Sequence, residues 1–300
     1  MLRQLYNILP DTGKKQACLQ FCMAAVFAGL QVRGGFVTVL HFEYQMEIEY
    51  EENVGRCYYT IKCIPREDAR QHLLGMEFSI LPETEHSIGE DSFGNKQIYG
   101  CETEPHRQFI FHITGDVEII QTDYEEEAAE EKTGIFRYPY GKCMPGPGLL
   151  RYYESCDFSS CGNSYEVCVE LMHRLHRDFT YESGVTHVHT TAEEAWELGR
   201  GVCQDYAHIY ITLLRMAGIP ARYVCGLIIG EGASHAWVEA LCGSRWLAFD
   251  PTNDCLVLDH YIKLGHGRDT SDCAINRGLM WNGGAQTQKI SVLVEKRERE

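Results

Sequence analysis

The sequence predicts an α+β protein with a first half of antiparallel strands and a second half in which helices pack on an antiparallel sheet. Residues 35–120 contain runs of β-branched and aromatic residues, some alternating with polar ones, and no helical pattern lies between them. Apolar residues recur at helical spacing only after residue 160. The chain has 300 residues, which suits two domains at ~100–200 residues per domain.

The first half reads as a small antiparallel β-sandwich-like domain. Apolar and polar residues alternate towards the end of 36–50, which predicts a strand. The run Cys57–Ile64 has a similar composition and predicts a further strand. Asp91–Asn95 is a turn signal before a return strand over Lys96–Tyr99. Gln108–Thr114 and Val117–Ile120 predict another hairpin. Strands at this spacing, with no helices between them, are typical of a sandwich.

Composition changes mark the boundaries. We predict an unassigned extension over 1–34, a β-rich domain over 35–122, a linker over 123–147 and a second domain over 148–296. The linker begins with a charge run, Asp123–Glu131, and ends in a segment dense in Pro and Gly, Tyr138–Gly148. In the extension, Ala17–Leu30 is apolar but too short to span a membrane, which needs ~20 apolar residues. We interpret it as a helix rather than a secretion signal.

Charge and cysteine usage exclude several functions. Lys and Arg total 27 against 43 Asp and Glu, for a formal charge of -16, so the chain repels phosphate backbones and we expect no nucleic-acid binding. The 14 cysteines include no Cys-x-x-Cys pair, which argues against a structural zinc site. Without a convincing secretion signal we expect reduced thiols in the cytoplasm, no membrane contact, and neither metal nor cofactor.

The second half shows three helices followed by three strands. Helices are predicted over Asn163–Arg177, from Thr191 to about Gly199, and over Cys203–Ala217, where Gly218 and Pro220 follow. Strand-like runs cover Arg222–Ile229, His235–Leu241 and Arg245–Asp250, joined by short turns.

Cys203 follows a glycine-containing turn and begins the third helix. The free N–H groups and the dipole at a helix start favour an anion, and the thiolate is the reactive form of cysteine. A cysteine at a helix start is more often simply packed, so this signal alone is moderate.

His235 and Asp250 strengthen the prediction that Cys203 is a nucleophile. They lie at the start and the end of consecutive strands, which an antiparallel hairpin brings side by side. A carboxylate there can orient the imidazole, and a helix packed on the sheet can bring Cys203 to the other ring nitrogen. The arrangement is that of nucleophile, base and orienting group in covalent catalysis.

Three segments carry a family resemblance: Gly-Val-Cys-Gln-Asp-Tyr-Ala at 201–207, Ser-His-Ala-Trp-Val-Glu at 234–239 and Phe-Asp-Pro-Thr-Asn at 249–253. In order and spacing they resemble the core motifs of the transglutaminase-like superfamily. The resemblance runs over roughly 148–296, and the first half is similar to the bacterial transglutaminase-like N-terminal region. It implies a papain-like or transglutaminase-like catalytic core with Cys203, His235 and Asp250 as its triad.

An oxyanion hole is also expected, with the Cys203 N–H as a natural donor. Trp196, Gln204 and Trp237 are candidates for the hole or the pocket, although core packing is the simpler interpretation of Trp196. Asp205 is expected to support the first helical turn. His173 with His176, and His187 with His189, could each bind a metal, but solvated histidines are commoner and no zinc-protease pattern accompanies them.

The resemblance implies a thioester acyl-enzyme formed on Cys203 from a protein or peptide substrate. We favour hydrolysis, by a cysteine peptidase or amidase. Acyl transfer from glutamine to an amine is the alternative, and a non-catalytic interaction module is a third hypothesis, against which the intact triad argues. The sequence leaves the substrate and the oligomeric state open.

Overall fold

The computed structural model describes residues 37–120 and 133–297 and confirms the predicted α+β class, with two antiparallel sheets and a helical layer. The predicted extension over 1–34 and the charge run Asp123–Glu131 lie outside the described residues. Numbered in chain order, the strands are β1 (Val37–Ile61), β2 (Gln71–Leu81), β3 (His86–Glu90), β4 (Lys96–Glu102), β5 (His106–Ile120), β6 (Thr180–Tyr181), β7 (Arg200–Gly201), β8 (Ala221–Ile228), β9 (Gly230–Gly232), β10 (His235–Cys242), β11 (Arg245–Asp250), β12 (Cys255–Leu256), β13 (Tyr261–Gly267), β14 (Asn276–Asn282) and β15 (Gln286–Lys296). The helices are α1 (Pro147–Glu154), α2 (Ser164–Asp178), α3 (Ala192–Leu198), α4 (Cys203–Met216) and α5 (Thr270–Cys273).

The first sheet is built around β1, a single strand of 25 residues. The separate strand expected over 57–64 is instead the continuation of β1, because the polar residues at 51–53 stay extended. The pairing has register irregularities between Glu49 and Val54 towards β5 and between Val54 and Arg56 towards β14. The first part of β1 pairs with β5 and β15, and its last part pairs with β4 and β14. Alternate side chains such as Leu40, Phe42 and Tyr44 are buried, as period-two alternation predicts.

The second sheet has the order β12-β11-β10-β8-β13, with all its pairings antiparallel. Helix α4 packs against β8 and β10 and is almost entirely buried. The predicted helix limits hold well, because local signals define them. Asn163 caps α2, and Thr191 and Glu194 form the predicted capping box of α3, which Gly199 closes with a left-handed φ of 68°.

The two sheets are joined by segments distant in sequence. Strands β14 and β15 follow the second sheet in the chain but pair with β1, so the predicted second domain over 148–296 includes two strands of the first sheet. β15 also pairs with β9, three residues before His235. The described part of the predicted linker, 133–147, is packed: the Phe136 ring lies edge-on to Trp246 at 5.8 Å, and Cys143 is buried.

Side chains of the first sheet region also bond the backbone of β13. The Gln71 amide pairs with both the N–H and the carbonyl of Lys263, at 2.8 and 2.7 Å. The Asn95 amide pairs in the same way with His266, at 2.9 and 2.8 Å. These buried amides therefore extend the backbone pairing of the second sheet towards the first.

Candidate active site

Cys203 is the first residue of α4, as the sequence predicts. The preceding strand β7 pairs with β6, which fixes the approach of the chain to the helix. The first N–H groups of a helix have no partner within it, so the helix start presents donors and a favourable dipole around the sulfur. The Cys203 side chain is partly exposed, which leaves the thiol open to a reactant.

Asp205 shapes this helix start. Its Oδ2 accepts hydrogen bonds from the Val202 N–H at 2.8 Å and from the Thr186 hydroxyl at 2.7 Å. The carboxyl is fully buried, and burial raises its pKa while the bonds from Thr186 and Val202 oppose the rise. Gly201 makes room for it, since a Cβ there would lie 2.4 Å from the same oxygen. The expected support of the first turn is therefore present.

His235 and Asp250 meet as the hairpin predicts. In the antiparallel pairing of β10 with β11, Val238 lies opposite Phe249, so the start of one strand is next to the end of the other. The His235 Nε2 lies 2.7 Å from the Asp250 Oδ2. The carboxylate is fully buried and the imidazole is only 11% exposed, so solvent screens this pair weakly.

Cys203 is a neighbour of the same imidazole and contributes to the raised pKa of the ring. Asp250 occupies Nε2, so Nδ1 is the ring nitrogen that remains for a second partner. Burial disfavours the charged ring, but the hydrogen bonds and charges of Asp250 and Cys203 outweigh it and raise the pKa of His235 to about 10. The geometry thus brings the three predicted residues together, with a ring that is protonated at neutral pH.

Asp250 has further partners to which sequence reasoning assigned no function. The Asn253 side chain donates to Oδ2 at 2.7 Å, and the Tyr261 hydroxyl donates to the same oxygen at 2.9 Å. The N–H groups of Thr252 and Asn253 donate to Oδ1 at 3.0 and 3.1 Å. Burial opposes ionisation, yet the bonds from His235, Asn253 and Tyr261 hold the pKa of Asp250 below its usual value. Asn253 could have been found from its place in the Asp-Pro-Thr-Asn segment, whereas Tyr261 comes from another strand and carries no local signal.

The pocket candidates lie in different places. The Trp196 ring packs against Tyr152, with centroids 4.2 Å apart, and stacks on Phe179 at 6.4 Å. Trp237 is buried beneath His235, with ring centroids 6.4 Å apart. The Gln204 amide donates to the His187 carbonyl at 3.4 Å. These contacts place Trp196 and Trp237 in packed surroundings and aim the Gln204 amide at the loop before α3.

The histidine pairs make other contacts. His173 Nδ1 lies 2.5 Å from Asp254 Oδ1, and the pair raises the pKa of His173. His176 Nδ1 donates to the Pro251 carbonyl at 3.3 Å. Both therefore hold the loop that follows Asp250. Across residues 37–120 and 133–297, no group of three or more His, Cys, Asp and Glu side chains is arranged to hold a metal ion. Within the same ranges, no helix is long and apolar enough to cross a membrane.

The fold and this site are those of a protein with a candidate cysteine nucleophile, and comparison with known families identifies its family. Residues 157–251 match the transglutaminase-like superfamily, and residues 40–118 match the bacterial transglutaminase-like N-terminal region. The chain belongs to the transglutaminase-like superfamily and carries the N-terminal region of its bacterial members, as the motifs predicted.

Similar proteins include bacterial chains of comparable length. An uncharacterised protein of Mycobacterium tuberculosis is 29% identical over 293 residues, covering 84% of this chain and 90% of the relative. One from Mycobacterium leprae is 42% identical over 125 residues, covering 38% of this chain and 44% of the relative. Among solved structures, a candidate cysteine protease from Cytophaga hutchinsonii superposes with a TM-score of 0.73 at 22% identity, covering 89% of this chain and 94% of that one. The two structures therefore share their fold over both sheets.

Proposed function

We propose that this protein is a cysteine-dependent peptidase or amidase that cleaves peptide or carboxamide bonds through Cys203, His235 and Asp250. One observation carries the proposal: a single imidazole bonds a buried carboxylate through Nε2 and has a partly exposed thiol at a helix start as a neighbour. A histidine that merely filled the core would not need both partners. Membership of the transglutaminase-like superfamily supports the same reading.

In the first step the Cys203 thiolate attacks the carbonyl carbon of the substrate, forming the C–S bond while the C=O electrons move to oxygen. The protonated His235 is the counter-charge of the thiolate before attack, and Asp250 stabilises that proton from the far side of the ring. The developing oxyanion accepts a hydrogen bond from the Cys203 N–H, which lies at the first residue of α4.

In the second step the C–N bond breaks and His235 gives its proton to the departing amine, leaving a thioester on Cys203. The neutral imidazole then takes a proton from water, whose oxygen attacks the thioester carbonyl. The C–S bond breaks, the acid product leaves, and His235 keeps the proton taken from water, so the thiolate–imidazolium pair is restored. Each group ends the cycle as it began, so no cofactor enters the balance.

A fluorogenic peptide library tests the proposal, with Cys203→Ala as the inactive control and Cys225→Ala as the matched control at a buried thiol of the neighbouring strand. We expect cleavage by the wild type and by the Cys225 variant, and none by Cys203→Ala. The same reactions with an added primary amine separate water from amine as the acceptor. Turnover that survives in Cys203→Ala contradicts the proposal.

A further inference from the structure

A second pair of cysteines lies outside the proposed site. Cys168 on α2 and Cys242 at the end of β10 have their sulfur atoms 3.7 Å apart, although 74 positions separate them in the sequence. Cys168 is fully buried, and Cys242 is partly exposed. The sequence alone predicts that Cys242 is a small buried hydrophobic residue, because no residue near it in the sequence indicates that Cys168 is its neighbour.

The two thiols differ in their surroundings. The Cys168 thiol and the Ser164 hydroxyl both hydrogen-bond Cys242 and lower the pKa of its thiol. Ser164 is the first residue of α2, so Cys242 also faces a helix N-terminus, which favours a thiolate. Burial, in contrast, holds the pKa of Cys168 well above its ordinary value. Cys242 is therefore the thiol suited to react first with an oxidant, and Cys168 is close enough to attack the oxidised Cys242 sulfur afterwards.

We propose that Cys168 and Cys242 form an oxidation site at which a hydroperoxide converts the two thiols into a disulfide. A disulfide needs its sulfur atoms about 2.05 Å apart, so the sulfur atoms must approach by roughly 1.6 Å from their present contact. Rotation of side chains supplies motion on this scale. Neither thiol belongs to the proposed catalytic group, so the inference stands independently of the proposed function.

The chemistry balances in two steps. The Cys242 thiol loses its proton and the thiolate attacks the outer oxygen of the hydroperoxide; the O–O bond breaks, and the departing alkoxide or hydroxide takes up that proton and leaves as an alcohol or water, so Cys242 becomes a sulfenic acid. The Cys168 sulfur then gives up its proton and attacks the Cys242 sulfur, the S–O bond breaks, and the departing hydroxide takes that proton as water. Two thiols lose two electrons in total, and the peroxide gains them.

The disulfide would join α2 to the end of β10. Closing a loop of this length restricts the unfolded chain, so the oxidised protein should unfold at a melting temperature higher by about 5 °C or more. His235 stands at the other end of β10, seven residues away and thus roughly 24 Å along the strand. Oxidation at Cys242 should therefore leave the reactivity of Cys203 unchanged.

The test uses the full chain carrying Cys203→Ala, which removes the competing nucleophile. Hydrogen peroxide is added, remaining thiols are blocked with N-ethylmaleimide, and the unreduced digest is mapped by mass spectrometry. We expect a linked peptide containing Cys168 and Cys242, lighter by two hydrogens and released by dithiothreitol, together with the rise in melting temperature. The link should survive Cys225→Ser, which changes a buried thiol whose pKa is raised to about 12 by burial.

Two results would overturn the inference. One is full alkylation of both thiols, after denaturation, at peroxide doses that oxidise other cysteines of the chain. The other is accumulation of sulfenic or sulfinic acid on Cys242 without a link to Cys168. Mapping the protein with both thiols intact decides between these results and the proposal, so the test needs no substitution at Cys168 or Cys242.

Discussion

At the scale of single residues, Asp250 determines how the candidate site is organised. It is fully buried, and it accepts hydrogen bonds from His235, Asn253 and Tyr261 and from two backbone N–H groups. Donors on several sides fix the carboxylate, which in turn fixes the tautomer and tilt of the imidazole. Its charge, rather than its shape alone, should therefore matter to any reaction at Cys203.

Asp250→Asn tests this directly, because the amide keeps the size of the side chain and removes the charge. We expect kcat/KM for peptide cleavage to fall by about 10²–10⁴-fold, since the imidazolium loses its stabilising partner. The pKa of His235, followed by NMR, should fall as well. Tyr261→Phe is the matched milder change, which removes one donor, and it should reduce cleavage much less. Equal effects of the two variants would contradict a role for the Asp250 charge.

The raised pKa of His235 predicts how stability depends on pH. The folded-state pKa is about 10 against an ordinary value of 6.5, so the protonated ring contributes stability fully below pH 6.5, and this is lost as pH rises through about 10. The free energy of unfolding of the wild type, relative to His235→Gln, should shrink over that window in urea titrations. In a Cys203→Ala background the loss should be smaller and should be complete at lower pH, because the folded-state pKa of His235 is lower without Cys203. A difference that does not change with pH would refute the assignment.

The three candidate residues could be singled out because three short segments hold them next to strong local signals: a helix start, a strand start and a strand end. Tyr261 could not be predicted, because its approach to Asp250 depends on β13 packing beside β8 and not on any neighbour in sequence. The same is true of His173, whose i,i+3 spacing with His176 suggested a shared ligand but whose partner is Asp254.

At the scale of elements, the first turn of α4 determines the position of Cys203. The Asp205 carboxylate bonds the Val202 N–H and the Thr186 hydroxyl, so it ties the turn before Cys203 both to the helix and to the loop before α3. Caps of this kind are worth about 1 kcal/mol, and a buried donor left unsatisfied costs about 1–3 kcal/mol. The helix start should loosen when this carboxylate is removed.

Asp205→Ala should lower the free energy of unfolding by about 2–3 kcal/mol and slow the alkylation of Cys203. Asp205→Asn keeps an oxygen acceptor at the same place and serves as the matched control, with a smaller loss in both measurements. Urea denaturation and timed labelling of the same samples give the two numbers. Unchanged labelling in Asp205→Ala would show that the carboxylate does not position the sulfur.

Elements with their own caps and turns were predictable: α2, α3, α4, β10 and β11 lie within a residue or two of their expected limits. The length of β1 was not, since the polar residues at 51–53 look like a loop until strand pairing on either side holds them extended. Local patterns describe local structure, whereas pairing between distant strands decides where a strand continues.

At the scale of the whole molecule, the two sheets depend on each other. β15 pairs with β1 and with β9, and β9 leads directly to His235. The Gln71 amide completes the backbone hydrogen bonds of Lys263, and the Asn95 amide those of His266. The two amide links could not be predicted from the sequence, because they join residues 192 and 171 positions apart.

Gln71→Ala would leave the N–H and the carbonyl of Lys263 without this partner in a buried place. We expect a loss of about 1–3 kcal/mol in the free energy of unfolding, because the Lys263 N–H loses its side-chain acceptor while the carbonyl still accepts from the Arg66 N–H. Gln108→Ala removes a similar side chain that is exposed on β5, and it should change stability by less than about 0.5 kcal/mol. Similar losses for the two variants would mean that the amide bridge contributes nothing particular.

The central claim is that Cys203 is the reactive nucleophile of this site and depends on His235, and its rate of alkylation by iodoacetamide tests this most directly. At about pH 6, ordinary thiols with a pKa near 8.5 are almost wholly protonated. The account predicts that Cys203 is labelled well ahead of the other cysteines, and that His235→Gln removes this advantage while the fold persists. Labelling of Cys203 no faster than that of the other thiols, or equally fast without the imidazole, would contradict it.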